Sequence, residues 1–498
     1  MTHNEKLRLA QEAVDKGALL AANGSYRQKY HFMAPSGWIN DPNGCIFFKN
    51  RYHLFYQHNP YSPVWGSMHW GHATSTDLVH WKHEPIALAP SEYYDDHPQG
   101  GVFSGSAVKQ GNSLAVLYTG TTNNGQGFIQ TQCLAVSHDG GYSFTKFQDN
   151  PVIRKTPPGV SPDFRDPRVV SHEGLWYMVL GASLGKGAWH GGEGCALLYR
   201  SLDLKKWEYL GIIARSSGKY GSMWECPDLF FLNGKWVLSF SPMFMNEYQK
   251  TVYFVGEMNF DKQEFRIEQE GEIDWGGEYY APQSLLDPKE RRILIAWQNA
   301  WDWMPWWKDF GPTYKEGWRC SMALPRFVSL DKKNYLVSKP VEELECLREN
   351  KKTLQDIDVV DKEVIIPCID PVCFELLVEI DLEQTEASRF IMVLRVSEEK
   401  KTVIIVDFTE KKLIFDRSHS DENYSNYSRE CELFLENNIC AMRVFSDTIS
   451  IEIFTDEGRT CMSNTIYPIH PSQNSYMLAE NGKVRIKSLS SWSLRAAI

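Results

Sequence analysis

The sequence predicts an all-β protein in which a five-bladed β-propeller is followed by a C-terminal β-sandwich domain. Two observations lead to this fold class. A short run rich in aromatic and β-branched residues occurs five times at intervals of about sixty residues, which is enough chain for the four strands of one blade. Beyond residue 345 the repeat ends, and alternating strands with polar turns continue almost without tryptophan. An ordinary β-sandwich with accidental internal similarity is the alternative.

The repeats share a second feature, which argues against accidental internal similarity. A Ser-x-Asp turn followed by an aromatic residue comes after three of the runs, and a looser Asn-x-Asp version comes after a fourth. Each copy has the character of a turn that leads into a strand anchored by an aromatic side chain. The runs lie at 52–57, 114–120, 175–182, 235–242 and 292–299, and the turn elements lie at 75–81, 137–144, 201–207 and 259–265.

The two ends of the chain differ from the repeats. Leu7, Ala10, Val14 and Ala18 recur at helical spacing and Gly24 is a typical stop signal, so an amphipathic helix is expected on the outside of the propeller. Alternating strands are expected near the other end at 373–380, 402–407 and 448–454. The predicted organisation is a helical extension at 1–29, the propeller at 30–342, a linker at 343–356 and the sandwich at 357–498.

Composition excludes several classes of protein. A mean hydropathy of -0.39, with no apolar run near the roughly 18 residues that a membrane-spanning helix needs, argues against an integral membrane protein. A formal net charge of -11 disfavours nucleic acids and anionic membranes as partners, because both are bound by clustered Lys and Arg. The expected partner is a small or neutral substrate, and the oligomeric state stays open.

The cysteines and histidines predict a cytoplasmic protein without a metal or cofactor. Eleven cysteines, an odd number with no Cys-x-x-Cys pair, fit free thiols in a reducing compartment. Residues 1–20 contain three acidic residues and no hydrophobic stretch like that of a secretory signal. His69 with His72, and His80 with His83, are three residues apart, which places the members of each pair on opposite faces of a strand.

Acidic residues occupy equivalent positions in three of the repeats. Asp41 and Glu225 lie 11 residues, and Asp166 lies 10 residues, before an aromatic residue of the run that follows. Ser104 and Tyr280 take comparable places in the other two repeats. Because the innermost strand of every blade lines the central funnel, these five side chains are expected to converge on one axis. Each acidic residue is closely followed by proline and, taken singly, is better explained as the start of a turn; three in register argue against that explanation.

Converging carboxylates indicate acid and base chemistry. Carboxylates in one funnel repel each other, which raises the pKa of at least one of them and creates an acid alongside a base. The nearby tryptophans offer apolar faces on which sugar rings can stack. The four tryptophans within 301–307 are expected to form a leaving-group subsite, with packing under the fifth blade as the alternative. Together these features predict a glycoside hydrolase.

The motifs resemble glycoside hydrolase family 32, the β-fructofuranosidases that include invertases, sucrose-6-phosphate hydrolases, inulinases and levanases. The family's Trp-Met-Asn-Asp-Pro-Asn-Gly signature is present at 38–44 with Ile39 in place of Met, and Arg-Asp-Pro and Glu-Cys-Pro are intact at 165–167 and 225–227. The family's Asp-Phe-Tyr-Ala segment begins with Glu278 here, so a change of specificity is conceivable at that position. The resemblance covers nearly the whole chain, including 56–60, 65–72, 317–326 and 449–459.

The resemblance implies a retaining double displacement. Asp41 would be the nucleophile that attacks a fructosyl unit, and Glu225 would be the acid that protonates the leaving oxygen and then the base that activates water. Asp166 would hold fructose hydroxyls, Arg165 would keep Asp166 ionised, and Cys226 is expected to be a buried neighbour rather than a reactive thiol. The substrate-binding residues implied by the family are Asn40, Gln57, Trp65, Phe103, Ser104, Arg165, Tyr280 and Trp297.

Three functions are open at this point. The leading one is hydrolysis of the terminal β-fructofuranosyl residue of sucrose, sucrose 6-phosphate or a short fructo-oligosaccharide. A fructosyltransferase would use the same site and differs only in whether water or a sugar accepts the fructosyl group. A propeller that binds carbohydrate without catalysis is the third, and the presence of all three carboxylates argues against it.

Overall fold

The chain begins with one helix that packs on the first blade. The computed structural model describes residues 1–245, 251–301, 304–368, 370–398, 400–421, 427–468 and 474–497. Helix α1 (His3–Ala21) starts at a capping box, in which the side chains of Thr2 and Glu5 each accept a hydrogen bond from the other residue's backbone N–H. Ala10 and Val14 are buried against Ile86, so the amphipathic face predicted from the spacing contacts the propeller.

Five antiparallel sheets follow, and the second strand of each contains one of the repeated aromatic runs. The first sheet contains β1 (Gly37–Phe48), β2 (Arg51–Asn59), β3 (His69–Ser75) and β4 (Trp81–Leu88), and the second contains β5 (Gly101–Gln110), β6 (Ser113–Asn123), β7 (Phe128–Ser137) and β8 (Thr145–Lys146). The third contains β9 (Val160–His172), β10 (Leu175–Leu184), β11 (Glu193–Ser201) and β12 (Glu208–Arg215), and the fourth contains β13 (Met223–Leu232), β14 (Lys235–Met243), β15 (Val252–Asn259) and β16 (Glu264–Glu272). The fifth contains β17 (Tyr280–Leu286), β18 (Arg292–Trp297), β20 (Arg326–Leu330) and β21 (Leu336–Pro340). The two-residue strand β19 (Trp318–Arg319) follows the short helix α2 (Pro312–Lys315) and pairs in parallel with the start of β1.

The first strands of the five sheets form a closed ring. Strands β1, β5, β9, β13 and β17 each contact the next, and β17 contacts β1. This closure is that of a five-bladed propeller, which confirms the predicted fold class. The Ser-x-Asp elements are the turns between the third and fourth strands, where the hydroxyl of Ser75 accepts hydrogen bonds from the N–H groups of Asp77 and Leu78.

Every innermost strand carries a β-bulge, which includes the predicted site residue in three strands and directly follows it at Glu225 and Tyr280. The bulged pairs are 40–41, 103–104, 166–167, 226–227 and 281–282, each opposite a single residue of the second strand. A bulge interrupts the ladder, which accommodates proline, and it redirects the side chains beside it. Asp166, Cys226 and Ala281 accordingly have φ values of 63°, 45° and 53°. The prolines after the acidic residues therefore lie inside strands, and the turn interpretation is wrong.

The C-terminal part of the structure is a sandwich of two six-stranded sheets, also as predicted. One sheet has the order β22-β33-β24-β29-β30-β31 and the other has the order β23-β32-β25-β26-β27-β28. The strands are β22 (Arg348–Val359), β23 (Val364–Ile365), β24 (Phe374–Asp381), β25 (Arg389–Leu394), β26 (Thr402–Asp407), β27 (Lys412–Asp416), β28 (Ser428–Glu432), β29 (Ile439–Asp447), β30 (Ser450–Thr455), β31 (Thr460–Thr465), β32 (Tyr476–Glu480) and β33 (Val484–Leu494). Further short 3₁₀ helices lie at Ala188–His190, Glu342–Leu347 and Asp456–Gly458.

The segment expected as a linker at 343–356 is mostly ordered secondary structure. It begins inside the 3₁₀ helix Glu342–Leu347 and continues as the first part of β22, which pairs with β33 at the edge of the sandwich. The first residues of β22 are charged and exposed, as is usual for an edge strand that must not aggregate. That pattern lacks the alternation by which strands are recognised, which is why the sequence suggested a linker.

Buried charges join the propeller to the sandwich. Arg326 of β20 contacts Asp274 at 2.8 Å and Glu452 of β30 at 2.9 Å. The ring of His31 lies between Asp447 Oδ2 at 2.8 Å and Glu452 Oε1 at 3.0 Å. All of these side chains are fully buried, so the two parts share a tightly packed polar interface. Among the described residues no helix has the length and apolarity to cross a bilayer.

Candidate active site

A cavity of about 760 Å³ opens over the bulges of the inner strands. Nine of the residues predicted for the site line it, and they come from four of the five blades. They are Asn40, Asp41, Gln57, Trp65, Phe103, Ser104, Arg165, Asp166 and Glu225. Four of the five side chains aligned by equal spacing in the repeats therefore line one cavity, whereas the fifth, Tyr280, is buried behind its wall.

Asp41 is held by three donors in the bulge of β1. Its Oδ2 accepts a hydrogen bond from the hydroxyl of Ser104 at 2.6 Å and lies 3.5 Å from the thiol sulfur of Cys226, while its Oδ1 accepts one from Asn40 Nδ2 at 3.0 Å. Asn40 is itself oriented by the indole N–H of Trp38, which donates to its Oδ1 at 2.8 Å. The carboxylate is 8% exposed and fixed in direction.

Asp166 is anchored by backbone groups. Its Oδ2 accepts a hydrogen bond from the backbone N–H of Cys226 at 2.9 Å, and its own N–H donates to Thr119 Oγ1 at 3.0 Å. The N–H of Cys226 is free to do this because it lies in the β13 bulge. Cys226 thus touches both aspartates, and burial next to carboxylates raises the pKa of its thiol, which keeps the sulfur protonated.

Arg165 contacts a different carboxylate from the one expected. Its guanidinium donates from Nε to Glu225 Oε1 at 2.9 Å, and its Nη2 lies 2.9 Å from the same oxygen, so its hydrogen bonds go to Glu225 rather than to Asp166. Arg165 lies directly before the β9 bulge and reaches across to the neighbouring blade, while the carboxylate of Asp166, inside the bulge, is bound by the N–H of Cys226. The opposite face of Glu225 is also occupied, because Tyr280 donates its hydroxyl hydrogen to Oε2 at 2.7 Å.

Burial and repulsion between carboxylates raise the pKa values of both Asp41 and Asp166. Burial, with a smaller effect of nearby Glu225, raises the pKa of Asp41 to about 6 against the opposing hydrogen bonds of Ser104, Asn40 and Cys226. Burial also raises the pKa of Asp166, and although Arg165 opposes that shift, Glu225 and Asp41 add to it. Arg165 thus lowers the pKa of Asp166, which is the direction expected from the sequence, but burial has the larger effect.

Two residues assigned to the sugar pocket lie behind its wall. Tyr280 is buried, and its hydroxyl contacts Glu225. The ring of Trp297 is fully buried and packs against Trp38 at 5.9 Å and Trp301 at 4.6 Å between ring centroids, so it supports the wall. Glu278 points away from the cavity into the sandwich, where it binds Arg417.

Sequence reasoning missed several lining residues. Asp163 lies 3.8 Å from Arg165 and accepts a hydrogen bond from the N–H of Ala188 at 2.9 Å. Its position two residues before Arg165 on one strand was an available signal, because such residues share a face. Gln130, whose Oε1 accepts from the N–H of Phe164 at 3.0 Å, gave no signal. The other lining residues not assigned individually are Phe128, Trp189, Met243, Phe244, Met245, Trp301, Trp306 and Trp307.

Trp301, Trp306 and Trp307 form one wall of the cavity. Trp306 packs edge-on against Trp65 at 5.4 Å and against Trp301 at 6.0 Å, and the ring of Trp307 is 63% exposed. Residues 302 and 303 of this group lie outside the described residues. Trp189 and Phe244, with centroids 4.7 Å apart, line another part of the cavity and are also exposed. The mouth is therefore bordered by aromatic faces.

Three of the four histidines singled out in the sequence have separate hydrogen-bond partners. His69 Nδ1 lies 2.6 Å from the carbonyl oxygen of Ser67, His72 Nε2 lies 3.1 Å from His53, and His80 Nδ1 lies 2.7 Å from Asp77. Within the described part of the chain, no group of three or more His, Cys, Asp or Glu side chains is arranged to hold a metal ion.

Comparison with known proteins agrees with this geometry. The model of the glycosyl hydrolases family 32 N-terminal domain matches residues 31–340, and that of the family's C-terminal domain matches residues 343–493. The chain belongs to glycoside hydrolase family 32. It is a glycoside hydrolase, and the alternative of a propeller that only binds carbohydrate is set aside.

Individual relatives of this family 32 chain cover almost its whole length. It is 34% identical to a sucrose-6-phosphate hydrolase of Escherichia coli, over 98% of this chain and 99% of the relative. It is 35% identical to a sucrose-6-phosphate hydrolase of Bacillus subtilis, over 99% of both chains. Among solved structures, a GH32 beta-fructofuranosidase of Bombyx mori superposes with a TM-score of 0.83 at 30% identity, over 99% of both chains.

Proposed function

We propose that this glycoside hydrolase is a retaining β-fructofuranosidase that removes the terminal fructosyl residue of sucrose, sucrose 6-phosphate or a short fructo-oligosaccharide. One observation carries the proposal: Asp41 and Glu225 line the same cavity from blades on different sides of the ring, close enough for Glu225 to raise the pKa of Asp41. A glycosidase that works by double displacement needs such a pair of carboxyl groups.

The roles proposed for the three carboxyl groups are those that membership of family 32 implies, and their hydrogen bonds orient them in the cavity. Asp41, oriented by Ser104 and Asn40, attacks the anomeric carbon as a carboxylate and forms a fructosyl-enzyme ester. Glu225 gives its proton to the leaving oxygen and later removes one from the attacking water. Asp166, fixed by the backbone of Cys226, binds fructose hydroxyls and stabilises the positive charge that develops on the ring.

The proposed chemistry predicts the configuration of the first product. A retaining enzyme holds its two carboxyl groups about 5 to 5.5 Å apart, whereas an inverting one needs roughly 6.5 to 9.5 Å to admit a water. NMR spectra recorded in the first minutes of sucrose cleavage should show β-fructofuranose before the other tautomers accumulate. Initial release of the α anomer would contradict the double displacement.

The substrate is proposed from the relatives together with the size of the cavity. Curated relatives include sucrose-6-phosphate hydrolases and a raffinose invertase of Escherichia coli. Solved structures similar to this chain include a mutant Bombyx mori beta-fructofuranosidase with sucrose and a mutant chicory fructan 1-exohydrolase with 1-kestose. A cavity of about 760 Å³ suits a di- or trisaccharide.

A comparison of kcat/KM tests the substrate. Sucrose, sucrose 6-phosphate, 1-kestose, inulin and levan should be offered in parallel, and the three small substrates should be preferred. A clear preference for inulin or levan would overturn the proposal of a small substrate. Equal release of glucose and fructose from sucrose indicates hydrolysis, whereas glucose in excess of free fructose would indicate the fructosyltransferase.

We also propose that the protein works in the cytoplasm. All eleven cysteines are free thiols, and most of them are buried, as expected where disulfides do not form. Fractionation of the source cells should place the activity in the cytoplasmic fraction. Recovery of the activity outside the cell would contradict this location.

A further inference from the structure

A buried ion pair ties the sandwich to the propeller just before Tyr280. Arg417, which follows β27 in the sandwich, donates from Nη1 to Glu278 Oε2 at 2.9 Å and from Nη2 to Oε1 at 2.7 Å. The same carboxylate accepts hydrogen bonds from the hydroxyl of Tyr427 at 3.2 Å and from the N–H of Thr465 at 2.8 Å. These donors all belong to the sandwich, and the Arg417 and Glu278 side chains are fully buried.

The backbone around Glu278 is fixed to the same part of the sandwich. The N–H groups of Trp275 and Glu278 donate to the carbonyl oxygens of Cys461 and Ser463, at 2.8 Å and 3.1 Å. Segment 274–278 therefore runs along β31, the edge strand of one sandwich sheet. Gly276 is needed for this approach, because a Cβ there would overlap the backbone of Ser463.

Little chain separates this anchor from the catalytic carboxyl group. Tyr279 follows Glu278, and its fully buried ring lies 4.1 Å from the guanidinium of Arg326. Tyr280 comes next, and its hydroxyl donates to Glu225 Oε2 at 2.7 Å. Ala281, in the bulge of β17, then donates its N–H to Ser241 Oγ at 2.9 Å. Each residue from the ion pair to the site is thus held by its own contact.

We propose that Arg417 is a positioning residue for the acid and base Glu225. By clamping Glu278 it sets where the Tyr280 hydroxyl meets Glu225, and so where the proton donor stands relative to the leaving oxygen. The inference rests on the proposed role of Glu225. It gives the sandwich a part in the reaction, although none of the described cavity-lining residues comes from the sandwich.

Two substrates with different leaving groups can distinguish a misplaced acid Glu225 from a general loss of structure in the active site. Cleavage of sucrose needs proton donation to a poor leaving group, whereas 4-nitrophenyl β-D-fructofuranoside loses a phenolate that needs little protonation. In Arg417→Met, kcat/KM for sucrose should fall by roughly tenfold, and kcat/KM for the nitrophenyl substrate should change by less than about twofold. Arg417→Lys, which keeps the charge but loses the bidentate geometry, should recover part of the sucrose activity.

Two further variants keep the test decisive. Arg417→Met leaves a buried carboxylate unpaired, so the double variant Arg417→Met with Glu278→Gln serves if the single variant does not fold. Arg348→Met is the matched control, because Arg348 donates two hydrogen bonds at 2.7 Å to buried Glu375 within the sandwich. The control should leave the ratio of the two kcat/KM values at that of the parent enzyme.

The possible outcomes point to different conclusions. A selective loss with sucrose in the Arg417 variants, absent in Arg348→Met, would support the positioning role. An unchanged ratio in the variants, whether both activities fall or neither does, would overturn it while leaving the proposed function intact. A parent protein that cleaved neither substrate would overturn the proposed function, and the role of Arg417 with it.

Discussion

Ser104 donates its hydroxyl hydrogen to Asp41 Oδ2 across 2.6 Å, which links the bulge of the second blade to that of the first. A hydrogen bond to a carboxylate favours its ionised form, and this one opposes the burial that raises the pKa of Asp41 to about 6. The propeller thus supplies from one blade the donor that keeps the nucleophile of another blade available near neutral pH.

Ser104→Ala should therefore move the acidic limb of the pH profile. Without the hydroxyl the pKa of Asp41 rises further, so the carboxylate is lost at a higher pH, and the acidic limb of kcat/KM should shift upward by about 0.5 to 1 pH unit. The shift is measured with sucrose between pH 4.5 and 8. Ser106→Ala, a buried serine on the same strand that contacts Pro167, is the control. An acidic limb that stayed in place would contradict this role of Ser104.

Asp41→Asn should stabilise the protein while it abolishes activity. Because the pKa of Asp41 is raised from 3.8 to about 6, the folded state loses stability as the pH rises through that window, and the cost is fully present above pH 6. Replacing the charge with an amide should then gain about 1 to 3 kcal/mol in the free energy of unfolding at pH 7.5. Urea unfolding measures this gain, which should shrink toward zero near pH 4. A gain that did not depend on pH would contradict this explanation.

His31 should make the interface between propeller and sandwich sensitive to alkali. Burial opposes its charge, but the hydrogen bonds that its ring donates to Asp447 and Glu452 prevail and raise its pKa to about 9. Because this pKa lies above the unfolded value of 6.5, the stabilisation is fully present below pH 6.5 and is lost as the pH rises through 9. The loss amounts to about 3 kcal/mol, and calorimetric unfolding should detect it in the parent. In His31→Gln this pH-dependent loss should be absent; an equal loss in the variant would assign it to other groups.

Trp307→Ala should weaken the binding of longer substrates more than the binding of sucrose. The exposed ring borders the cavity mouth, and an aromatic contact of this kind contributes about 0.5–1.5 kcal/mol, so KM for 1-kestose should rise roughly two- to tenfold. KM for sucrose should change less. Phe231, which is 53% exposed on β13 and does not line the cavity, provides the control variant Phe231→Ala. An equal rise in KM for 1-kestose and sucrose would argue against a leaving-group subsite at this wall of the cavity.

The sequence predicts the fold well where a period is present. Equal spacing in the repeats located the blades and aligned Asp41, Asp166 and Glu225, because each inner strand enters the funnel at the same point of its repeat. The sequence did not predict strand β22, because this charged edge strand lacks the alternation of apolar and polar residues. The sequence also gave no account of the bulges, since an acidic residue followed by proline is the pattern of a turn as well.

Contacts between side chains were harder to predict than positions. Arg165 was expected beside Asp166 because the two are neighbours in sequence, yet it pairs with Glu225 of the next blade. The departure from the family at Glu278 suggested a change of specificity, whereas the structure places its partner, Arg417, in the other domain. Both depend on which long side chains meet across separate elements, and a single sequence does not record that.

Release of glucose from sucrose by the parent protein, Asp41→Asn and Glu225→Gln tests the central claim most directly. The account predicts measurable turnover in the parent and a fall in kcat of roughly 10⁴-fold or more in Asp41→Asn, with a large fall also in Glu225→Gln. Circular dichroism and thermal unfolding must first show that both variants are folded. Hydrolysis at the parent rate by either variant would contradict the assignment of Asp41 and Glu225 as the groups that cleave the bond.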